Sequence, residues 1–151
     1  MIPKGALVVA LAAALAMGAP AQPGFAGARS EARASGTELK ALINTARSAR
    51  HISALHLDRH VSRYAFKHSR QMAAKQKLFH TRNLARPLKG TGWHLAGENV
   101  GEGATVGAIH QAFMHSPDHR ANILEPGYDR VAVGVYSDAD ETVWVTVIFY
   151  G

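Results

Sequence analysis

Hydrophobic positions in this chain keep a helical period through its middle and an alternating one near its end. From Thr37, the residues Leu39, Leu42, Ile43 and Ala46 fall at i, i+3, i+4 and i+7, which lines them along one helical face. Thr37 can cap that helix, and Glu38 lies in its first turn, where a carboxylate meets the positive end of the helix dipole. Asp58 can cap a second helix, with Val61, Ala65, Met72 and either Tyr64 or His68 on its inward stripe. Lys75 to Lys77 suit its C-terminal end. A third helix is predicted over Thr105 to His115, carrying Val106, Ile109, Ala112 and Phe113 on one face. Pro117 interrupts it, and the stretch SPDHRANIL from Ser116 opens a new, short helix with proline at its first position.

After Pro126 and Gly127 the period becomes two. Val131, Val133 and Val135 share one face of a strand, and Val143, Val145, Val147 and Phe149 share one face of the next. Trp144, Thr146, Ile148 and Tyr150 take that strand's other face, and Ser137 to Glu141 form the polar turn between the two. This is a β-hairpin. Both faces of its last strand are apolar, so that strand is expected at the centre of a sheet, covered by helices on each side. Helices, a break and a terminal hairpin predict an α+β layered sandwich.

The beginning of the chain reads differently. Lys4 is the only charge in the first 28 residues, Gly5 to Met17 are all small or apolar, and Ala19/Ala21 and Ala26/Ala28 have Ala-x-Ala spacing. That pattern predicts an export signal over residues 1–28, cleaved after Ala21 or Ala28. The apolar run is shorter than the roughly 20 residues a membrane-crossing helix needs, so no stable anchor is expected. Residues 29–36 are polar and small and read as a linker, leaving one domain over 37–151. The 151-residue chain is 47% hydrophobic, enough for a core, and has no cysteine. An exported domain of this kind must hold together by packing alone, without disulfides. The absence of cysteine also excludes a thiol nucleophile, a thiolate zinc site and a lipidated N-terminal cysteine.

Charge is segregated along the sequence. Residues 29–89 carry 14 Lys and Arg against Glu31, Glu38 and Asp58, whereas residues 90–151 carry Arg120 and Arg130 against eight acids. Either the two halves neutralise one another across the fold, or the basic half meets an anionic partner such as a cell-wall polymer or lipid headgroups. Nucleic acid is not expected, because the chain reads as exported and has no basic strand interleaved with aromatics.

No local motif announces an enzyme, so a site must be assembled from distant segments. His119 falls at the third helical position of SPDHRANIL. Free N–H groups, the dipole and Arg120 all disfavour an imidazolium there, so a neutral ring is expected, able to accept a proton or bind a metal. Alternatively, Asp118 or a backbone carbonyl satisfies it. His80 lies just past the second helix, beside Leu78 and Phe79, whose burial would carry it inward; otherwise it points into solvent. Glu98, in AGENVGEG, sits between glycines 97 and 101 and apolar Ala96 and Val100 on a short strand. A buried carboxylate needs partners, and two histidines would serve. Glu102 reads as a solvated acid or a helix cap. His56 and His60 read as surface, and His110 and His115 do not share a helix face.

Together, "FH", "GENV", "SPDHRANIL", the glycine-bearing strand "VAVGVY" and the final aromatic strand resemble the CAP superfamily of cysteine-rich secretory, antigen-five and pathogenesis-related proteins. The likeness is greatest to its bacterial SCP-like extracellular branch, over about Leu39 to Gly151. It implies a three-layer α-β-α sandwich around a central antiparallel sheet, and a cleft lined by two histidines and two glutamates. His80, Glu98 and His119 match three of these. The fourth, a glutamate late in the third helix, falls near Ser116 and is absent; Phe113 replaces a tryptophan, and the family's disulfides are missing. A binding reading gives that cleft a divalent cation, zinc by its preference for imidazole and carboxylate ligands or another divalent ion, held by His80 and His119 with Glu98 behind them or ligating. The resemblance also implies a lipid, sterol or cell-wall glycan as ligand. A metal-assisted hydrolase would instead use Glu98 as general base, with His80 and His119 completing the catalytic set. A third reading makes the histidines and Glu98 a buried hydrogen-bond network that stabilises a non-catalytic scaffold for anionic surface partners; on every reading a monomer is expected.

Overall fold

The computed structural model describes residues 25–151. Helix α1 spans Phe25–Ser48, strand β1 His56–Leu57, α2 Arg59–Lys75, β2 Ala96–Gly103, α3 Val106–His115, α4 Pro117–Leu124, β3 Arg130–Ser137 and β4 Val143–Tyr150. The four strands form one sheet in the order β1-β3-β4-β2. β4 lies at its interior, as its two apolar faces require, antiparallel to β3 and to β2. The hairpin turn is organised by Asp138, which accepts from the Asp140 and Thr142 amides and from Trp144 Nε1 at 2.8 Å.

Strand alternation assigns each layer its contacts. Val131, Val133 and Val135 of β3, with Val145, Val147 and Phe149 of β4, pack under Leu39 and Ile43 of α1 and Ile109 and Phe113 of α3. The opposite face presents Ile148 and Tyr150 to Val61 and Ala65 of α2, and Trp144 to Met72. The result is an α-β-α sandwich. α2 lies so close to β3 that a side chain at Gly134 would strike the Ala65–Phe66 backbone.

Four expectations are corrected. The sheet is mixed, because the two-residue edge strand β1 runs parallel to β3; a strand that short leaves no periodicity to read. Residues 29–36 are not a linker but part of α1, whose alanines, arginines and Glu31 are good helix formers. Thr37 is therefore inside the helix and not a cap: its hydroxyl donates to Arg33 O at 3.0 Å. Ala112 is exposed, while Val106, Ile109 and Phe113 are buried as expected. Asp58 does cap α2, accepting from the His60 and Val61 amides at 2.6 and 2.9 Å. The export signal falls, through residue 24, outside the described residues.

Arg47 joins the layers in a way the sequence pattern does not announce. It is fully buried. Its guanidinium donates to four backbone carbonyls: Ser53 at 2.8 Å, Ile123 at 3.0 Å, Glu125 at 2.8 Å and Tyr128 at 3.1 Å. Ile123 and Glu125 close the C-terminal end of α4, where carbonyls lack helical partners and a cation is favourable. One α1 side chain thus fixes where α4 ends. Replacing Arg47 with Met leaves those carbonyls buried and unpaired. The expected loss is about 3–5 kcal/mol of unfolding free energy in a urea titration; a loss below about 1 kcal/mol would mean the clamp is not structural.

Candidate functional site

The site is built around β2. This strand lies at the sheet edge and pairs only with β4, Glu98 opposite Ile148 and Asn99 opposite Val147. Successive strand residues point to opposite faces, so Glu98 turns toward the α2 side and Asn99 toward the α3–α4 side. Gly97, Gly101 and Gly103 share the face of Asn99. Added side chains there would strike Asn122 and Tyr128 at Gly97 and Phe113 at Gly101, and would crowd Ile109 at Gly101 and Gly103. Glycine at these positions lets α3 and α4 close directly onto the strand.

Asn99 is the exception on that face, and it is fully buried. Its Nδ2 donates to His119 O at 2.9 Å, and its Oδ1 accepts from Asn122 Nδ2 at 2.9 Å. Both partners belong to α4, so Asn99 holds the first turn of that helix against the strand. Pro117 occupies the first helical turn and Ser116 the cap position, although the Ser116 side chain makes no capping bond. His119 is half-buried, its ring packed at 4.9 Å between centroids on Phe113. Burial, foremost, holds its pKa below the ordinary histidine value; the nearby charge of His80 acts in the same direction and Asp118 opposes it. The neutral ring expected from the helix terminus is therefore favoured chiefly by desolvation.

On the other face, the Glu98 side chain is only 4% exposed. Its Oε1 accepts from His80 Nδ1 at 2.9 Å and from the Thr81 amide at 2.8 Å. His80 itself is not carried inward: its side chain is 61% exposed, and Leu78 also faces solvent. Only Phe79 turns in, meeting the His68 ring edge-on at 5.0 Å. Glu98 thus takes one histidine and one backbone amide in place of two histidines. The His119 ring makes no hydrogen bond to Glu98; its backbone is held by Asn99, the residue after Glu98, and the charge of His80 acts on its ring. Among the described residues, no group of three or more His, Cys, Asp or Glu is arranged to hold a metal ion.

His68 is the site's hidden member. It is buried on the inward stripe of α2, where a histidine in an apolar pattern reads as core. Its Nδ1 lies 3.1 Å from Thr146 Oγ1, which lies 2.9 Å from Ser69 Oγ, itself 3.0 Å from Gly134 O. A carbonyl only accepts, and each hydroxyl has one proton. The order that satisfies this row has Ser69 donating to Gly134, Thr146 to Ser69 and His68 Nδ1 to Thr146. His68 Nε2 then carries a lone pair. That atom, Thr81 Oγ1 and Glu98 Oε2 are all buried without a protein partner. Burial lowers the His68 pKa, with Glu98 acting to raise it and His80 to lower it. The sequence signal that could have found His68 is the pair His68–Ser69, two polar residues on a stripe otherwise set by Val61, Ala65 and Met72.

Residues 40–149 match the Cysteine-rich secretory protein family, CAP. The chain belongs to that family. No curated protein matches it. Among solved structures it is similar to an extracellular protein containing an SCP domain from Bacillus anthracis, with 22% identity and a TM-score of 0.74, over 87% of this chain and 45% of that one. An outer surface protein from Borrelia burgdorferi aligns with 15% identity and a TM-score of 0.71, over 78% of this chain and 92% of that one. A cysteine-rich secretory protein from Staphylococcus aureus aligns with 19% identity and a TM-score of 0.66, over 80% of this chain and 39% of that one. The chain thus spans less than half the length of the Bacillus and Staphylococcus proteins. Among the described residues, no helix is long and apolar enough to cross a membrane.

His68, His110 and His119 all have pKa values lowered by burial. Each binds a proton less readily folded than unfolded, so on acidification the unfolded chain takes up protons first. Their contribution to stability is complete above the ordinary histidine value of about 6.5 and is lost as pH falls below it. The urea midpoint is expected to drop between about pH 7.5 and about pH 5. A midpoint that stays flat or rises over that interval would contradict the assignment.

Proposed function

We propose that this protein is an exported binding module whose edge-strand cleft takes a divalent cation, zinc by its donor chemistry, through His80 and His119. The observation that carries the reading is the 2.9 Å contact between His80 Nδ1 and Glu98 Oε1. A carboxylate on one ring nitrogen fixes the tautomer and aims the other nitrogen outward, the usual support for a metal-ligating histidine. The exposed His80 ring leaves Nε2 available to an ion, and burial keeps His119 in the neutral form that ligation needs.

Two imidazoles suit zinc in ligand type but leave positions open. Water or the oxygen atoms of a ligand headgroup would fill them, and a lipid, a sterol or a cell-wall glycan presents such oxygens. Export is supported by the signal pattern in residues 1–28 and by the extracellular and surface descriptions of the Bacillus and Borrelia proteins. A hydrolase using Glu98 as general base is less well supported, because Oε1 already serves two donors and Oε2 is buried. In the binding reading Glu98 orients His80, and the unpartnered His68, Thr81 and Glu98 atoms leave hydrogen-bonding capacity behind it.

Calorimetric titration with zinc tests this directly. His80→Ala and His119→Ala are each expected to weaken binding at least tenfold, and Glu98→Gln by roughly 10–100-fold through the misoriented ring. Identical heats for the unsubstituted protein and both histidine variants would overturn the proposal.

A further inference from the structure

The outer face of α2 presents Arg59, Arg63, Lys67 and Arg70, all exposed. At 3.6 residues per turn these four fall within an arc of about 80° and follow one another at rises of about 6, 6 and 4.5 Å. They form a straight cationic row of about 16 Å. α2 contains no acidic residue. Among the described residues the ion pairs are His80–Glu98 and Arg130–Asp129, so none of the four is neutralised by an acid. Arg63 meets only His60, at 2.7 Å. Of the eight acids of the second half, Asp138, Asp140 and Glu141 lie at the hairpin turn, where Asp138 meets Gln76 at the C-terminal end of α2. Asp118 lies on α4 and Glu125 just past it, Glu98 and Glu102 lie on β2, and Asp129 pairs with Arg130; none forms an ion pair with the four. On this face of α2, therefore, the acidic half supplies no ion pair to the basic one. Lys77, Arg82, Arg86 and Lys89 continue the excess, exposed, in the segment that leads through His80.

We propose that this face of α2 docks a linear polyanion of the polyol-phosphate class, a polymer bearing one phosphodiester every few backbone bonds. Charge complementarity sets the partner's sign, and the row's length and straightness set its shape. Three of the four cations are arginines, whose planar fork matches phosphate oxygens in pairs. Insertion into a bilayer is disfavoured, because the apolar stripe of α2 is already buried on the sheet. Nucleic acid is disfavoured because no aromatic on the helix is free to stack bases: Tyr64 lies against His68 and Phe66 against Tyr136. The surface is separate from the cation cleft and does not depend on it.

The test is fluorescence anisotropy of the full chain with labelled poly(glycerol phosphate) at several salt concentrations. Arg63→Gln/Lys67→Gln is expected to weaken binding at least tenfold and to flatten the log–log salt dependence by about 1.4, from two lost phosphate contacts. Arg33→Gln/Arg50→Gln, which changes net charge equally on α1 and the turn that follows it, is expected to alter affinity less than twofold. Circular dichroism confirms that each variant is folded. Equal losses from both pairs, no binding at all, or tighter binding to single-stranded DNA of matched charge or to phosphatidylglycerol vesicles would overturn the proposal.

Discussion

Glu98 and Asn99 are consecutive residues of an edge strand, and the pleat sends them to opposite sides of the sheet. Glu98 accepts from His80 and Thr81 on the α2 side; Asn99 bonds the first turn of α4 on the other. Two segments with no sequence proximity are thereby referred to one pair of positions on one strand. A slip of one residue in the β2–β4 register would exchange the two faces and break both attachments. The glycines at 97, 101 and 103 protect that register, since any side chain there would meet α3 or α4.

The helices are placed with the same economy. Arg47 ties the end of α1 to the carbonyls at the end of α4, while Asn99 ties the beginning of α4 to β2. An eight-residue helix is too short to be stable alone. Fastened at both ends, it holds His119 at a fixed place beside the edge strand. Gly134 performs the matching service on the other face, letting α2 settle onto β3 so that His68 and Ser69 reach Thr146. Arg47 and Asn99 thus place α4 largely through contacts to backbone, which constrain position more than they constrain side-chain identity.

Much of this was legible in the chain because periodicity reports burial. Alternation gave the hairpin and the interior place of β4, and the capping carboxylate of Asp58 marked the start of α2. The parts that escaped are those without a period. β1 is two residues long, and the polar, glycine-containing opening of α1 resembles a linker although its alanines and arginines favour helix. At the site, His80, Glu98 and His119 could be named from their settings, and the contact of His80 with Glu98 is present. The roles of Asn99 and Arg47 could not be, because each acts mainly on carbonyls or side chains twenty or more positions distant. His68 was hidden by its setting, since a ring on an apolar stripe gives no sign of the acid that faces α2 from the edge strand.

The central claim is that β2, bonded to His80 through Glu98 and to the His119 backbone through Asn99, brings the two imidazoles close enough to hold an ion between them. Anomalous diffraction at the zinc edge, from crystals of the protein soaked in zinc, addresses it most directly. The account predicts a single strong anomalous peak within bonding distance of both imidazoles, with Glu98 still bonded to His80 Nδ1. A peak on one histidine alone or elsewhere on the surface, or the two rings turned to separate regions, would contradict it.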